Sequence, residues 1–248
     1  MKNAIISSLL FILSAFSWAQ STTAETAESI YFEHGVKVNY SGISSVVPTD
    51  WKKKPVDMKS QKLVDADLIR EVNEILAKEL RLYPDGIKKY LSRIHIVKSL
   101  GFYGQEYGGT YFDKEIVIAT DFLEDGKLDR KNLGDTLHHE LSSILLGVID
   151  FPKNAWKSHN KGFSYGEGGV DAIESGKSST EFDIELVEKG ITCQYAAASF
   201  EEDFNMFSQF LLTSKKLQRI IKNNENLKGK YQLWLNHYKS LDSSFNLN

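Results

Sequence analysis

The residues with the clearest chemical potential lie in the segment DTLHHELSSILLG, at positions 135–147. Two histidines four residues apart on a helix can bind one zinc ion, and a glutamate between them can polarise the bound water. His139 and Glu140 stand at the first two of these positions, but Ser143 stands where the second histidine would be. The pattern therefore indicates a metal site that keeps one ligand and its general base and has lost the second ligand.

Several residues could replace the missing ligand. His138 is the nearest further donor, although one residue of helix turns it about 100° away from His139. His159, in a loop, and His237, in a C-terminal helix, are two more histidines that the fold could bring to the site. A solvated polar helix face without any metal is the alternative interpretation of the same residues.

The elements that must position these side chains follow from hydrophobic periodicity. Apolar residues recur on one face of a predicted helix from about 129 to 146, and Gly147 suits its C-terminal end. The strand-like run EIVIAT precedes this helix at 115–120, and the acidic helical run SFEEDFNMFSQF follows at 199–210. Near the N-terminus, residues 29–42 alternate between apolar and polar, which favours a strand or hairpin.

The segment GITCQYAAASFEEDFNMFSQFL, residues 190–211, resembles the second zinc helix of a family of zinc-binding metallopeptidases found in exported bacterial proteins. It is also similar to the lethal-factor type of gluzincin. In that pattern a tyrosine stands seven residues before the glutamate that binds zinc, as Tyr195 stands before Glu202. The resemblance therefore selects Glu202 rather than Glu201 as the ligand. This chain departs from the family at Ser143 and at Met206, where the family has an acid.

The resemblance implies an α+β, zincin-like fold: a small mixed sheet with an edge strand, two helices that carry the metal ligands, and a helical C-terminal part. In such a fold the edge strand lines the cleft and would hold an extended peptide by β-addition. We assign that role to residues 115–119. The implied metallopeptidase domain covers residues 59–248 and follows an N-terminal extension at 20–58.

The resemblance also implies a Zn²⁺ cofactor, bound by His139 and Glu202 with His138 as a further ligand. Glu140 would accept a proton from water and pass it to the leaving amine. Tyr195 would donate a hydrogen bond to the oxyanion. The activity would be that of a zinc metallohydrolase, a peptidase, and the substrate a peptide or protein.

Two alternatives remain beside this one. Ser143 and Met206 favour a catalytically inactive protein of the same fold, a pseudoenzyme whose cleft binds a peptide or protein partner without metal. A third hypothesis is an exported structural protein, in which the glycine-rich segment 161–177 is only a linker.

The N-terminus is typical of a secretory signal peptide. Lys2 precedes an apolar run at 4–16, and small residues at Ser17 and Ala19 suit cleavage after residue 19. The run is too short to span a bilayer. We therefore predict a signal peptide at 1–19, a secreted or periplasmic protein, and no integral membrane segment after cleavage.

The composition of the 248 residues is that of a globular protein, with 42% hydrophobic residues and a net charge of −3. No basic tract is present, which argues against a nucleic-acid partner. The single cysteine, Cys193, cannot form an internal disulfide and is predicted to be a buried structural residue.

Overall fold

The computed structural model describes residues 26–121, 123–124 and 127–247. The predicted signal peptide at 1–19 lies outside these residues. The predicted α+β architecture is confirmed. The helices are α1 (Ala27–His34), α2 (Ala66–Leu80), α3 (Asp85–Lys88), α4 (Arg130–Leu146), α5 (Lys153–Lys157), α6 (Gly169–Glu174), α7 (Ile184–Glu188), α8 (Phe200–Thr213), α9 (Lys215–Ile221) and α10 (Glu225–Leu241). The strands are β1 (Lys37–Asn39), β2 (Lys59–Lys62), β3 (Arg93–Phe102), β4 (Gln105–Glu106), β5 (Gly109–Phe112), β6 (Glu115–Ala119), β7 (Leu123–Glu124) and β8 (Lys127–Leu128).

The main sheet is mixed and is built around the long strand β3. Its path runs β1-β3-β6-β5, in which β1 and β6 lie parallel to β3 and β5 lies antiparallel to β6. The distal part of β3 pairs antiparallel with β2 and β4. Residues 94–97 of β3 are buried whichever face of the sheet they point to, so this part of the strand is covered on both faces.

The edge of this sheet beside α4 is β5, not β6. The prediction that residues 115–119 form the edge strand is wrong, because β6 is hydrogen-bonded to β3 on one side and to β5 on the other. An inner strand has no free backbone groups to offer a peptide. The edge that faces the cleft is therefore Gly109–Phe112, a short strand whose four residues are all half-buried.

The two faces of the sheet pack against different parts of the chain. Ile94, Ile96 and Ile116 point to the side on which α2 and α4 pack, and they belong to the main core. Val97 and Val117 point to the other side, where the N-terminal loop supplies Ile43, Val47 and Met58. This alternation places α4 directly on the sheet, with its buried leucines inward and its cleft residues toward β5.

The N-terminal segment joins this fold rather than standing apart from it. Residues 27–34 form a helix instead of the predicted strand, because the Thr26 side chain caps the backbone N–H of Ser29. The segment then supplies β1 to the main sheet. Within the described residues, no helix has the length and apolar character needed to cross a membrane.

Cys193 is buried, and burial raises the pKa of its thiol to about 12. The thiol therefore stays protonated at neutral pH, as a structural role requires.

Candidate active site

Helix α4 delivers the first half of the site. The Asp129 side chain caps it by accepting from the backbone N–H of Asn132. Its apolar stripe is buried and fixes its rotation on the sheet. Thr136, His139 and Glu140 then line a cleft with a volume of about 400 Å³. The helical spacing of the sequence thus places all three side chains on one wall.

Helix α8 delivers the second half. Ser199 caps it by accepting from the backbone N–H of Glu202, and Phe204 and Phe207 bury its inner face. Glu202 lies in the first turn, where the helix dipole favours a carboxylate. Because α8 packs against α4, Glu202 meets His139 across the helix pair.

The contact between His139 and Glu202 is the central feature of the site. His139 Nε2 and Glu202 Oε2 lie 3.1 Å apart. Glu202 Oε2 is buried and has no hydrogen-bond donor, while Oε1 accepts from the Tyr195 hydroxyl at 3.0 Å. The two facing atoms are thus at the distance of an ion pair, and the same separation would allow both to bind one cation.

The ionisation of these groups is coupled. Burial disfavours the charged imidazole, but the Glu202 carboxylate outweighs burial and raises the pKa of His139 to about 9. Burial also raises the pKa of Glu140 to about 7; the charge on Glu202 adds to this effect and the charge on His139 opposes it. Burial raises the pKa of Tyr195 well above its usual range, so its hydroxyl remains a donor.

Ser143, which stands where the zinc-binding pattern would have its second histidine, is hydrogen-bonded to Asn205. Ser143 Oγ accepts from Asn205 Nδ2 at 2.6 Å, and Asn205 Oδ1 accepts from Ser142 Oγ at 2.8 Å. Asn205 was not singled out in the sequence, although a lone amide three residues after Glu202 on an aromatic helix was the available signal.

The side chains one and two turns after Glu202 also line the cleft. Met206 lies one turn after Glu202, and Gln209 stands one turn further along the helix. The Gln209 side chain also contributes to the raised pKa of His139, after the larger effect of Glu202.

His138 is not brought together with the other predicted site residues. Its Nδ1 lies 2.7 Å from the Tyr83 hydroxyl, and its Nε2 lies 3.1 Å from Glu79 Oε2. Both ring nitrogens are thus occupied by residues from the segment between β2 and β3, and neither contacts Glu202. We correct the expectation that His138 is a metal ligand: the helix is regular here and does not turn His138 toward the cleft.

The hydrogen bond between His138 and Glu79 should make the free energy of unfolding depend on pH in the acidic range. The hydrogen bond from His138 outweighs burial and lowers the pKa of Glu79 to about 2. A lowered carboxylate pKa gives stability that is present above the unfolded value of 4.5 and is lost as pH falls toward 2. We expect Glu79→Gln to lose about 2–3 kcal/mol at pH 7. Urea unfolding at pH 7 and pH 3 should show that the difference between the two proteins narrows; it should disappear only when the pH reaches the folded pKa of about 2.

His159 and His237 also lie away from the site. A side chain on Gly229 of α10 would meet the His159 ring, since an added Cβ would lie 2.0 Å from Cε1. His237 Nε2 lies 3.0 Å from the Leu145 carbonyl, at the C-terminal end of α4. Neither histidine replaces the missing ligand.

Two glycines allow the backbone to approach the cleft residues closely, because neither has a side chain. An added Cβ on Gly109 of β5 would lie 2.5 Å from Thr136 Cγ2 and 3.2 Å from Glu140 Oε1. An added Cβ on Gly169 would lie 2.6 Å from the Tyr195 hydroxyl. The sheet edge therefore approaches Glu140, and the glycine-rich segment packs over Tyr195 rather than acting as a linker.

A buried ion pair between Asp203 and Lys230 links α8 to α10. Asp203, next to Glu202 but on the other side of α8, accepts from Lys230 Nζ and from Trp156 Nε1. Lys230 also donates to the Gly190 carbonyl at 2.6 Å. Asp203 and Lys230 are both inaccessible to solvent. The pair thus joins α5, the turn at residue 190, α8 and α10.

Removing one partner of this pair should be costly. We expect Lys230→Met to destabilise the protein by about 3–5 kcal/mol, because Asp203 would keep a buried charge without its cation. Lys228→Met is the control, since Lys228 is exposed on the same helix and pairs only with Glu225; its cost should stay below about 1 kcal/mol. Equal urea midpoints for the two variants would contradict this expectation.

A second catalytic motif in the sequence is not supported by its surroundings. The pentapeptide GFSYG at 162–166 has the Gly-x-Ser-x-Gly spacing of a nucleophile elbow. An elbow needs a strand before the serine and a helix after it, whereas these residues form an irregular loop. Ser164 is exposed, and no histidine of the described chain hydrogen-bonds to it.

The residues present offer a zinc ion two protein ligands. His139 Nε2 and the free Glu202 Oε2 offer the nitrogen and oxygen donors that zinc accepts. No group of three His, Cys, Asp or Glu side chains in the described ranges is arranged to hold a metal. The site is therefore one protein ligand short of the usual catalytic zinc site.

Comparisons with known proteins agree with the fold. The chain is similar to the crystal structure of a protein from Bacteroides caccae ATCC 43185 that is described as a candidate zinc-binding metallopeptidase. The TM-score is 0.50 at 15% sequence identity, over 89% of this chain and 84% of that chain. The fold is zincin-like. At this identity the likeness concerns the fold alone. No family model and no curated protein sequence matches the chain.

Proposed function

We propose that this protein is a zinc-dependent hydrolase that acts on peptides. The observation that carries the proposal is the convergence of His139 Nε2, in the wall of the cleft, and Glu202 Oε2 behind it, 3.1 Å apart. Glu140 lines the same cleft and Tyr195 contacts Glu202. A ligand pair, a buried carboxylate and a buried phenol in one cleft are the groups that metal-assisted hydrolysis requires.

Each residue has one role in this proposal. His139 and Glu202 would hold zinc, and the bound ion would supply Lewis-acid chemistry to the scissile carbonyl and the attacking water. Glu140 accepts a proton from the attacking water and delivers it to the leaving amine. Tyr195 releases its hydrogen bond to Glu202 and donates to the developing oxyanion.

The proposed substrate is a peptide because a sheet edge borders the cleft. Strand β5 has β6 on one side only, so its other side can pair with an extended chain. Gly109 brings this edge close to Glu140, where an added Cβ would already crowd Glu140 Oε1. A peptide paired with β5 would therefore pass beside the proton acceptor.

A second candidate function is a catalytically inactive, peptide-binding protein of the same fold. The observation that favours it is the hydrogen bond between Asn205 and Ser143, because it leaves a metal ion only two protein ligands. In this alternative the cleft and β5 would bind a partner without zinc.

Zinc content separates the two candidates. Elemental mass spectrometry of the purified protein should find about one zinc per chain, and His139→Ala should remove it. Peptide hydrolysis that depends on this zinc would support the enzyme. A wild-type protein that stays free of zinc after incubation with the metal would overturn the hydrolase proposal and favour the peptide-binding protein.

We also propose that the protein is exported to the periplasm or the medium, on the signal-peptide pattern of residues 1–19. Cell fractionation checks this: a cytoplasmic product of full length would contradict it.

A further inference from the structure

Helices α4 and α8 are joined by two successive contacts on one face. The first is the His139–Glu202 pair. The second lies one helical turn further along both helices, because Ser142 and Ser143 follow His139 by three and four residues and Asn205 follows Glu202 by three. There the amide of Asn205 spans both serines, at 2.8 Å to Ser142 Oγ and 2.6 Å to Ser143 Oγ.

The second contact is buried. Asn205 is 1% exposed and Ser142 is fully buried, so water does not compete for them. The Ser142 hydroxyl also lies 2.7 Å from the His139 carbonyl oxygen, which is a second acceptor for its one proton. Loss of the contacts with both serines would leave the buried amide of Asn205 unsatisfied. Two bonds from one planar amide also fix both the rotation and the sliding of α8 relative to α4, which a single bond would not.

We propose that Asn205 is a positioning residue for the metal site. A second histidine at position 143 would tie α4 to α8 through the ion itself. In this chain Asn205 makes that connection directly, and it holds His139 and Glu202 at the separation at which both can bind one ion. This inference rests on the proposed function.

The physical reason is that the geometry of a site with two protein ligands depends more on the packing of the surrounding helices than the geometry of a site with three ligands does. With fewer ligands, the ion contributes less to the spacing of the helices, so the spacing must be set before the ion binds. The Asn205 bridge sets it from one turn away, without contact with the ion or the substrate.

A bridge that only adds stability is the competing explanation, and Ser208 provides the matched control. Ser208 lies on the same helix, is fully buried, and accepts from Trp234 Nε1 at 2.8 Å. This bond faces α10 instead of α4. Ser208→Ala should therefore lower the thermal midpoint without changing the metal site.

The test compares zinc affinity, by competition with a chromogenic chelator, in wild type, Asn205→Leu and Ser208→Ala. Leucine has nearly the volume of asparagine but forms neither hydrogen bond. We expect Asn205→Leu to weaken zinc binding about 10–100-fold and Ser208→Ala to leave it unchanged. Equal affinity in Asn205→Leu, or an equal loss in Ser208→Ala, would overturn the proposal. If Asn205→Leu does not fold, Ser143→Ala removes one of the two bonds and carries the same test.

The failure of the proposed function is distinguishable from the failure of this inference. If wild type binds no zinc, the hydrolase proposal falls, and a crystal structure of Asn205→Leu then decides the role of the bridge. A His139–Glu202 separation well beyond 3.1 Å would support positioning by Asn205. An unchanged separation would refute it.

Discussion

Replacement of Glu140 by glutamine is expected to reduce peptide hydrolysis by at least about 10²–10⁴-fold and to leave the zinc content unchanged. The amide keeps the size and hydrogen-bonding capacity of the side chain but cannot accept the proton of the attacking water. Burial places the pKa of Glu140 at about 7, close to the value at which a carboxylate both accepts and returns a proton at neutral pH. Initial rates with an unstructured protein substrate, measured beside zinc content, check this expectation.

Glu106→Gln is the control for this experiment. Glu106 also lines the cleft, but it is exposed and lies on β4 rather than on α4. Its neutralisation should leave the rate nearly unchanged. If Glu140→Gln retained full activity with normal zinc content, Glu140 would not be the proton acceptor and the proposed mechanism would be wrong.

Replacement of Glu202 by glutamine is expected to weaken zinc binding by more than about 100-fold, beyond what loss of a supporting residue causes. Glutamine removes the negative charge and presents a weaker oxygen donor to the ion. It also withdraws the carboxylate that raises the pKa of His139, so that pKa should fall. Isothermal titration with zinc measures the first effect, and NMR titration of the imidazole measures the second.

The neighbouring carboxylate offers a closely matched control. Glu201 accepts from the Tyr111 hydroxyl at 2.8 Å and does not contact His139. Glu201→Gln should bind zinc as wild type does. Loss of zinc from Glu201→Gln but not from Glu202→Gln would reverse the ligand assignment that the spacing from Tyr195 supports.

The sequence alone predicted the elements that carry the site, because their signals are local. The period of the apolar residues and the cap at Asp129 define α4, and Ser199 with the acidic first turn defines α8. Once those helices form, their 3.6-residue period places Thr136 on the face from which His139 and Glu140 emerge three and four residues later. The seven-residue spacing between Tyr195 and Glu202 likewise led to a pair that the structure brings within 3.0 Å.

Only the tertiary structure decided which partners these side chains meet. His138 resembled a ligand in the sequence, but Tyr83 and Glu79 take both of its nitrogens from elements more than 50 residues away. The sheet edge was misassigned because an isolated strand pattern does not reveal how many neighbours will pair with it.

Asn205 is a residue whose partners could not be predicted from the sequence. Its sequence neighbours are aromatic and hydrophobic, and its partners Ser142 and Ser143 lie more than 60 residues earlier in the chain. Periodicity determines the face on which a side chain emerges, whereas packing between helices determines what it touches. The pairing of His139 with Glu202 was therefore expected from the sequence, and the contact of Asn205 with both serines followed only from the fold.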